Sequence, residues 1–336
     1  MKIRLGYVSI SKTLDLTCSK TITYTNFQKS NNFNKIDEII VENLENLEKI
    51  IDYNIKNNIH FYRLTSKLIP LATKTDVVFD YILKYQKLYQ KISEKISNSK
   101  MRVDVHPDQF CVLNSTKKEV LENTFQILEY HYKILEALNI KNKIIILHIG
   151  SNVFGKENSI KRFINNFYKL PDYIQKCIAV ENDDKIYNIV DCLNLCKKLN
   201  IPFVLDYHHH LCNNDGIEID KYLNAIFSTW KTTPKIHFSS PKNKTKKDFR
   251  SHHDYINIKD FISFLNKIKN LNIDLDIMLE AKAKDEALFK LTRLLKYYNY
   301  QFIDETTFII WQIVNYCYNI KCFKGGLKYG LKWIFK

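Results

Sequence analysis

Eight short apolar runs in this chain each end in a side chain able to hold a metal ion or a phosphate. They read IRLGY, IHFYR, MRVDVH, KIIILH, CIAVE, PFVLD, PKIH and DIMLE, and they close on Tyr7, Arg63, His106, His148, Glu181, Asp206, His237 and Glu280. Histidines and carboxylates brought to one place this way are the donor set of a polynuclear metal centre. Buried carboxylates are costly without counter-charge. Metal ions would supply it, with arginine and lysine as the competing source. The segment Asp206-Tyr-His-His209 adds a donor, because an Asp at a strand end and a His three residues later on the following turn can converge on one ion. His252, in the loop after the seventh run, can fold over the same rim. So many donors exceed one tetrahedral zinc. They suit two or three ions sharing bridging carboxylates, and mixed imidazole and carboxylate ligation favours Mn²⁺ or Zn²⁺ over Mg²⁺ or Ca²⁺. Clustered ions stabilise an attacking and a leaving oxygen together, which is the logic of phosphodiester hydrolysis.

What positions these donors is an alternation of strands and helices. The runs are short and nearly all apolar, as in parallel strands buried on both faces. The spacing predicts strands at 3–8, 59–64, 101–105, 143–149, 176–181, 202–207, 234–239 and 273–280. It predicts helices at 36–57, 76–97, 117–139, 157–169, 186–199, 217–229, 258–268 and 284–297. This is the pattern of a (β/α)₈ TIM barrel, whose chemistry sits where the strands end. Residues 1–297 are therefore expected to form one barrel domain. Residues 298–336 are expected to form a C-terminal extension, an appended helix over the run FIIWQIV followed by a basic tail. Long loops at 10–35 and 240–257 fall on the rim, where long loops tend to be functional. Lys235 lies two residues before His237, on the same strand face. Beside cations it must be neutral, turned away or chemically modified; a lysine reaching to the far rim is the plain alternative.

Composition narrows the class. The chain has 336 residues, of which 45% are hydrophobic, with only 7 Gly and 6 Pro, so linker-rich, collagen-like and disordered classes are excluded. The net charge of +15 is compatible with a phosphate-backbone partner. Lys, Asn and Ile are abundant throughout, as in chains from AT-rich genomes. The eight cysteines form no CxxC pair, and Cys192 and Cys196 read as core filling on a helix. MKIRLGYVSI lacks a long apolar stretch with a small-residue cleavage site, so no signal peptide is expected, and no apolar run approaches the roughly 18 residues of a membrane helix. The expectation is a soluble, intracellular protein of a bacterial cytoplasm or a virus. His60, His131, His208, His210 and His253 keep a structural reading. Gly150-Ser-Asn-Val-Phe-Gly155-Lys156 imitates a P-loop, but Glu157 stands where a Ser or Thr would hold Mg²⁺.

The motifs LGY, FYRLTSKLIP, HPDQF, LHIG, ENDD, DYHHH, KIHFSS, HHDYI and MLEAKAK occur in that order over roughly residues 1–290. Together they resemble the UV-damage endonuclease family, TIM-barrel relatives of endonuclease IV. The resemblance implies an enzyme that nicks damaged double-stranded DNA 5′ to ultraviolet photoproducts and leaves a 3′-hydroxyl. It implies a cluster of divalent ions, Mn²⁺ first with Zn²⁺ or Mg²⁺ as alternatives. The implied ligands are His106, His148, Glu181, Asp206, His209, His237, His252 and Glu280. The family's lysine near the metals falls on Lys235, where carboxylation would turn a cation into a ligand, and Gln109 matches a residue that probes the strand opposite the lesion. Glu181, Glu280, His237 and Lys235 are the expected catalytic set; Tyr7, Arg63, Gln109 and Phe110 are the expected DNA contacts. The enzyme is expected to act as a monomer, with no membrane partner. Three positions depart from the family: Phe110 where relatives often have Tyr, Lys74 where some carry His, and Ser11 where an Asn can stand nearby. An abasic-site endonuclease and a sugar isomerase on the same barrel are the alternatives, as is a DNA-binding protein whose metal site has decayed. The charge, the basic loop at 242–247 and the Gln109-Phe110 pair disfavour the isomerase.

Overall fold

The computed structural model describes residues 1–310. Eight parallel strands follow the apolar runs: Lys2–Val8 (β1), Phe61–Leu64 (β2), Arg102–Val105 (β3), Ile145–His148 (β4), Ile178–Glu181 (β5), Phe203–Asp206 (β6), Lys235–Phe238 (β7) and Leu275–Leu279 (β8). Each pairs with the next, and β1 pairs with both β8 and β2, which closes the barrel. The helices are Tyr24–Ser30 (α1), Phe33–Lys56 (α2), Gln86–Ser99 (α3), Lys118–Ala137 (α4), Lys156–Phe167 (α5) and Asp172–Gln175 (α6). They continue with Ile189–Leu199 (α7), Tyr207–Cys212 (α8), Leu223–Phe227 (α9), Ile258–Ile268 (α10) and Lys284–Tyr297 (α11). The chain is a (β/α)₈ barrel, as its periodicity implies. A Cβ on Gly6 would sit 2.3 Å from the Phe61 carbonyl oxygen, so the glycine of the LGY motif permits the close approach of β1 and β2.

Three elements depart from the sequence expectation. The helix expected over 76–97 begins only at Gln86. Upstream, the Asp80 carboxylate accepts from the amides of Ile82 and Leu83 at 3.0 and 2.9 Å, a local turn that competes with helix. The helix expected over 217–229 shrinks to one tight turn at Ile219–Lys221 followed by α9. The appended helix expected at FIIWQIV is corrected over its described part, 308–310: Gln301–Phe302 (β9) and Thr307–Ile309 (β10) form an antiparallel hairpin, and β10 pairs with Lys2–Arg4 of β1. β2 meets β1 only at Tyr7 and Val8, so the start of β1 has a free edge, and β10 satisfies it. The hairpin thus extends the barrel sheet past the expected boundary at 297. Residues 311–336, with the basic tail, lie outside the described residues.

The main core lies between barrel and helices, whereas the barrel interior is largely charged. Asp276, fully buried, accepts from Arg4 Nε at 2.6 Å and from Arg102 Nη1 at 2.7 Å. The Arg102 guanidinium also lies 5.2 Å from the Trp230 ring. One layer nearer the mouth, Lys235 Nζ donates to Asp104 Oδ2 at 2.5 Å. Apolar groups fill the rest, among them Ile146, Ala179 and Val204 on one side and Phe61 and Met278 on the other. Asp276→Ala leaves two guanidinium groups facing one another. It is expected to cost about 3–5 kcal/mol of stability, read as a lower urea midpoint.

Candidate metal centre

The donors stand at the mouth because strand period and strand end coincide. Ile146 and His148, Ala179 and Glu181, Val204 and Asp206, and Lys235 and His237 alternate inward, the second of each pair being the nearer to the rim. Asp206 does two jobs. It caps α8, accepting from the His209 amide at 2.7 Å, so the first turn of that helix carries His209 back over the same carboxylate. The strand-seven loop is tied by the Pro241–His252 bridge, which returns His252 to the rim and leaves Lys242–Lys247 exposed at its tip. His208 anchors that loop through Ser239 Oγ and the Phe249 carbonyl, both at 2.7 Å.

Glu181 is the hub. His106 Nε2 lies 2.8 Å from its Oε2, while His237 Nδ1 and His209 Nδ1 lie 2.9 and 3.4 Å from its Oε1. His148 Nε2 is 3.9 Å away. Glu280 Oε1 lies 3.3 Å from His237 Nδ1, and its Oε2 is 4.0 Å from His252 Nδ1. Three overlapping donor groups result: His106, His148 and Glu181; Glu181, Asp206 and His209; and Asp206, His237 and Glu280, each with its donor atoms within 4.8 Å. Glu181 and Asp206 each belong to two groups, the position of a bridging carboxylate. The cluster opens into a cavity of about 530 Å³ at the mouth.

Divalent ions fit this set. Asp206 Oδ2 and His148 Nδ1 are buried with no hydrogen-bond partner among the described residues, and His237 Nδ1 makes no aligned hydrogen bond despite lying 2.9 Å from Glu181 Oε1. Burial, with Glu181 and Glu280 repelling, pushes the Asp206 carboxyl up to about 8. Burial also raises Glu181, but His237, His148, His106 and His209 together hold it well below the usual carboxylate range. Burial lowers His237 to about 4, so its imidazole is neutral and able to ligate. A proton on Asp206 competes with a cation, so metal uptake by chelator-stripped protein is expected to strengthen as pH rises, levelling off above about 8. The check is a metal titration at several pH values; an affinity that is flat from pH 6 to 9 would remove Asp206 from the ligand set.

Lys235 is fully buried beneath His237, paired with Asp104 and 5.1 Å from the Phe61 ring. Burial lowers its ammonium to about 7, against the pull of Asp104. It therefore points neither to solvent nor to the far rim. Arg63 is also buried. Nη1 donates to Glu280 Oε1 at 2.6 Å and Nη2 contacts His237 Nε2, so Arg63 braces two donors from inside the site. Tyr7 requires correction. It is fully buried on the outer face of β1, its hydroxyl donating to Asn54 Oδ1 of α2 at 2.8 Å, so it offers DNA nothing. Val8, paired with Arg63, takes the inward position; a one-residue offset flips a strand residue to the opposite face. Gln109 and Phe110 stand in the loop after His106, both exposed, Phe110 to 69%.

Of the departures, Ser11 is buried and donates to Asp285 Oδ2 at 2.8 Å, and Lys74 Nζ lies 5.1 Å from the Tyr24 ring rather than in the cluster. In the P-loop imitation, Lys156 pairs with Asp191 at 2.8 Å, so the lysine is held away from any phosphate role. The reading of residues missed Asp104, although the alternation in MRVDVH puts it on the His106 face. It also missed Lys284, a half-buried cation lining the mouth with φ of 52°.

Fold and site define a metal-competent TIM barrel with three donor groups at its C-terminal mouth. The sequence matches the family model for UV-endonuclease UvdE over residues 3–310, and the chain belongs to that family. It is 42% identical over 299 residues to the UV DNA damage endonuclease of Bacillus cereus (strain B4264), covering 87% of this chain and 94% of that one. The solved structure titled "Crystal Structure of SacUVDE" superposes with a TM-score of 0.81 at 33% identity, covering 88% of this chain and 99% of that one. Endonuclease IV from Thermus thermophilus, at 11% identity, TM-score 0.54 and coverage of 88% and 99%, shares the fold. The chain is thus a DNA repair endonuclease, a hydrolase. No helix among the described residues is long and apolar enough to cross a membrane.

Proposed function

We propose that this endonuclease cuts duplex DNA immediately 5′ to ultraviolet photoproducts and leaves a 3′-hydroxyl, using two or three divalent ions, Mn²⁺ first. The observation that carries the reading is the set of three donor groups sharing Glu181 and Asp206, with the exposed Phe110 on the same rim. His106, His148, Glu181, Asp206, His209, His237, His252 and Glu280 would hold the ions. When bound, these supply charge for the attacking and leaving oxygens of the phosphate. The protein's own groups do the rest. Arg63 fixes Glu280 and His237 so that their donor atoms stay convergent. Lys235, neutral or modified, sits directly beneath His237 without adding a full repelling charge. Lys242, Lys244, Lys246 and Lys247 on the strand-seven loop hold the backbone electrostatically. Gln109 and Phe110 enter the stack while the damaged dinucleotide leaves it, an extrusion made easier because the lesion stacks poorly. The protein works as a monomer. A nicking assay on ultraviolet-irradiated, abasic and undamaged duplexes, with Mn²⁺ added or chelated, tests this. Cleavage confined to irradiated DNA with Mn²⁺ is the expected result. Preferential cleavage of abasic duplex would replace the substrate assignment.

A further inference from the structure

The face opposite the mouth carries a feature that the endonuclease chemistry leaves unused. Beneath the N-terminal ends of β4 to β7 runs a groove of about 680 Å³. Four lysines line it, Lys141, Lys143, Lys176 and Lys231, and its described lining holds no carboxylate. Lys143 pairs with Glu136 at 2.7 Å. Lys141, Lys176 and Lys231 are exposed and make no ion pair among the described residues. Aromatic rings line the same groove. Tyr168 is 61% exposed, its ring held edge-on by Phe167 at 5.5 Å. Tyr173 is 42% exposed, its ring 4.6 Å from that of Tyr132.

Charge decides what can fill such a groove. The chain's own C-terminal segment starts on this side of the barrel, because β10 leads to Ile310, whose amide donates to the Met1 carbonyl at 2.9 Å. Residues 311–336 contain five lysines and no Asp or Glu, so that segment would bring like charge to the groove. The groove's charge is complementary to a separate, anionic molecule. Cations and exposed aromatic rings lining one groove match the phosphates and unstacked bases of a single strand. A duplex keeps its bases stacked, and an acidic peptide would leave the rings without planar partners.

We propose that this groove binds a single-stranded nucleic-acid segment, with Lys141, Lys176 and Lys231 on phosphates and Tyr168 and Tyr173 against bases. It is a second nucleic-acid site, independent of the metal centre and of the lesion assigned to it.

The test uses the full-length, metal-loaded protein with its mouth saturated by unlabelled damaged duplex. Binding of a fluorescein-labelled oligothymidylate is followed by anisotropy across a salt series. The wild type is expected to bind saturably. Lys141→Glu, Lys176→Glu and Lys231→Glu together should weaken binding about tenfold or more and flatten the slope of log K against log salt by about 2, at about 0.7 per lost phosphate contact. Tyr168→Ala should weaken it by about 5–150-fold, the loss of one base–aromatic stack. Both variants should keep the wild-type melting temperature and the wild-type nicking rate on damaged duplex. Groove variants that bind the oligonucleotide as the wild type does would overturn the proposal. So would binding lost only on deleting 311–336, or polyglutamate binding as tightly as the oligonucleotide and indifferent to Tyr168→Ala.

Discussion

Glu280→Gln is expected to lower nicking of ultraviolet-irradiated duplex by about 10²–10³-fold, about 3–4 kcal/mol at about 1.36 kcal/mol per tenfold, and to reduce bound divalent metal. The substitution keeps shape and removes one charge. Glu280 faces His237 Nδ1 at 3.3 Å and His252 Nδ1 at 4.0 Å, so its loss takes a donor from the third group. It also removes the charge that offsets Arg63 at 2.6 Å, leaving a buried guanidinium with Asp104 at 3.7 Å as its remaining ion-pair partner, so that its charge repels cations from the remaining donors. Metal content and nicking should therefore fall together, as they should for His237→Ala and on exhaustive chelation. The checks are metal analysis of the purified variant and single-turnover nicking at fixed Mn²⁺. Full activity in chelator-stripped wild type would dismiss a metal role altogether.

Phe110→Ala should act on binding rather than on metal. Phe110 is 69% exposed and follows His106 by four residues, so its ring sits at the lip of the donor cluster without touching it. One base–aromatic stack is worth about 1–3 kcal/mol, which corresponds to affinity for damaged duplex weaker by about 5–150-fold. Metal content should match the wild type. Affinity for undamaged duplex, dominated by phosphate contacts, should change far less. A gel-shift comparison of the two duplexes reads this directly. A variant that binds damaged DNA normally would remove Phe110 from lesion recognition. Phe110→Tyr, which restores the hydroxyl that relatives often carry, should keep the stack.

The site was legible in the sequence where the chemistry lies along one strand or one turn. His106, His148, Glu181, Asp206, His237 and Glu280 close short apolar runs, and a barrel gathers strand ends at one mouth. Asp206 and His209 could be joined because a capping carboxylate and a residue three later share a helical turn. The number of barrel strands and the spacing of most helices follow from the same periodicity. Tyr7 was misread because it closes its apolar run, although strand parity groups it with Ile3 and Leu5 and sets Val8 with the inward Arg4. The shared face of Ile3, Leu5 and Tyr7 is the one packed on the helices, which turns Tyr7 towards Asn54. The hairpin at 301–310 was misread because FII is equally at home in a buried helix, and only the vacant edge at Lys2–Arg4 selects strand.

The sequence by itself determined which side chains are candidate donors and that six of them arrive at strand ends, since both follow from residue type and period. Tertiary structure alone decided how the charges inside the barrel are matched. Lys235 meets Asp104 across 131 positions, Arg63 meets Glu280 across 217, and Arg4 and Arg102 share Asp276. Closure of the barrel sets strands distant in sequence face to face, and no local periodicity encodes which inward residue each will meet. Those pairings determine whether Lys235 is a full cation beneath the donors and whether Arg63 braces the cluster or reaches for DNA. Burial and cross-barrel distance set the outcome, because the cost of a charge depends on the partner that closure brings to it.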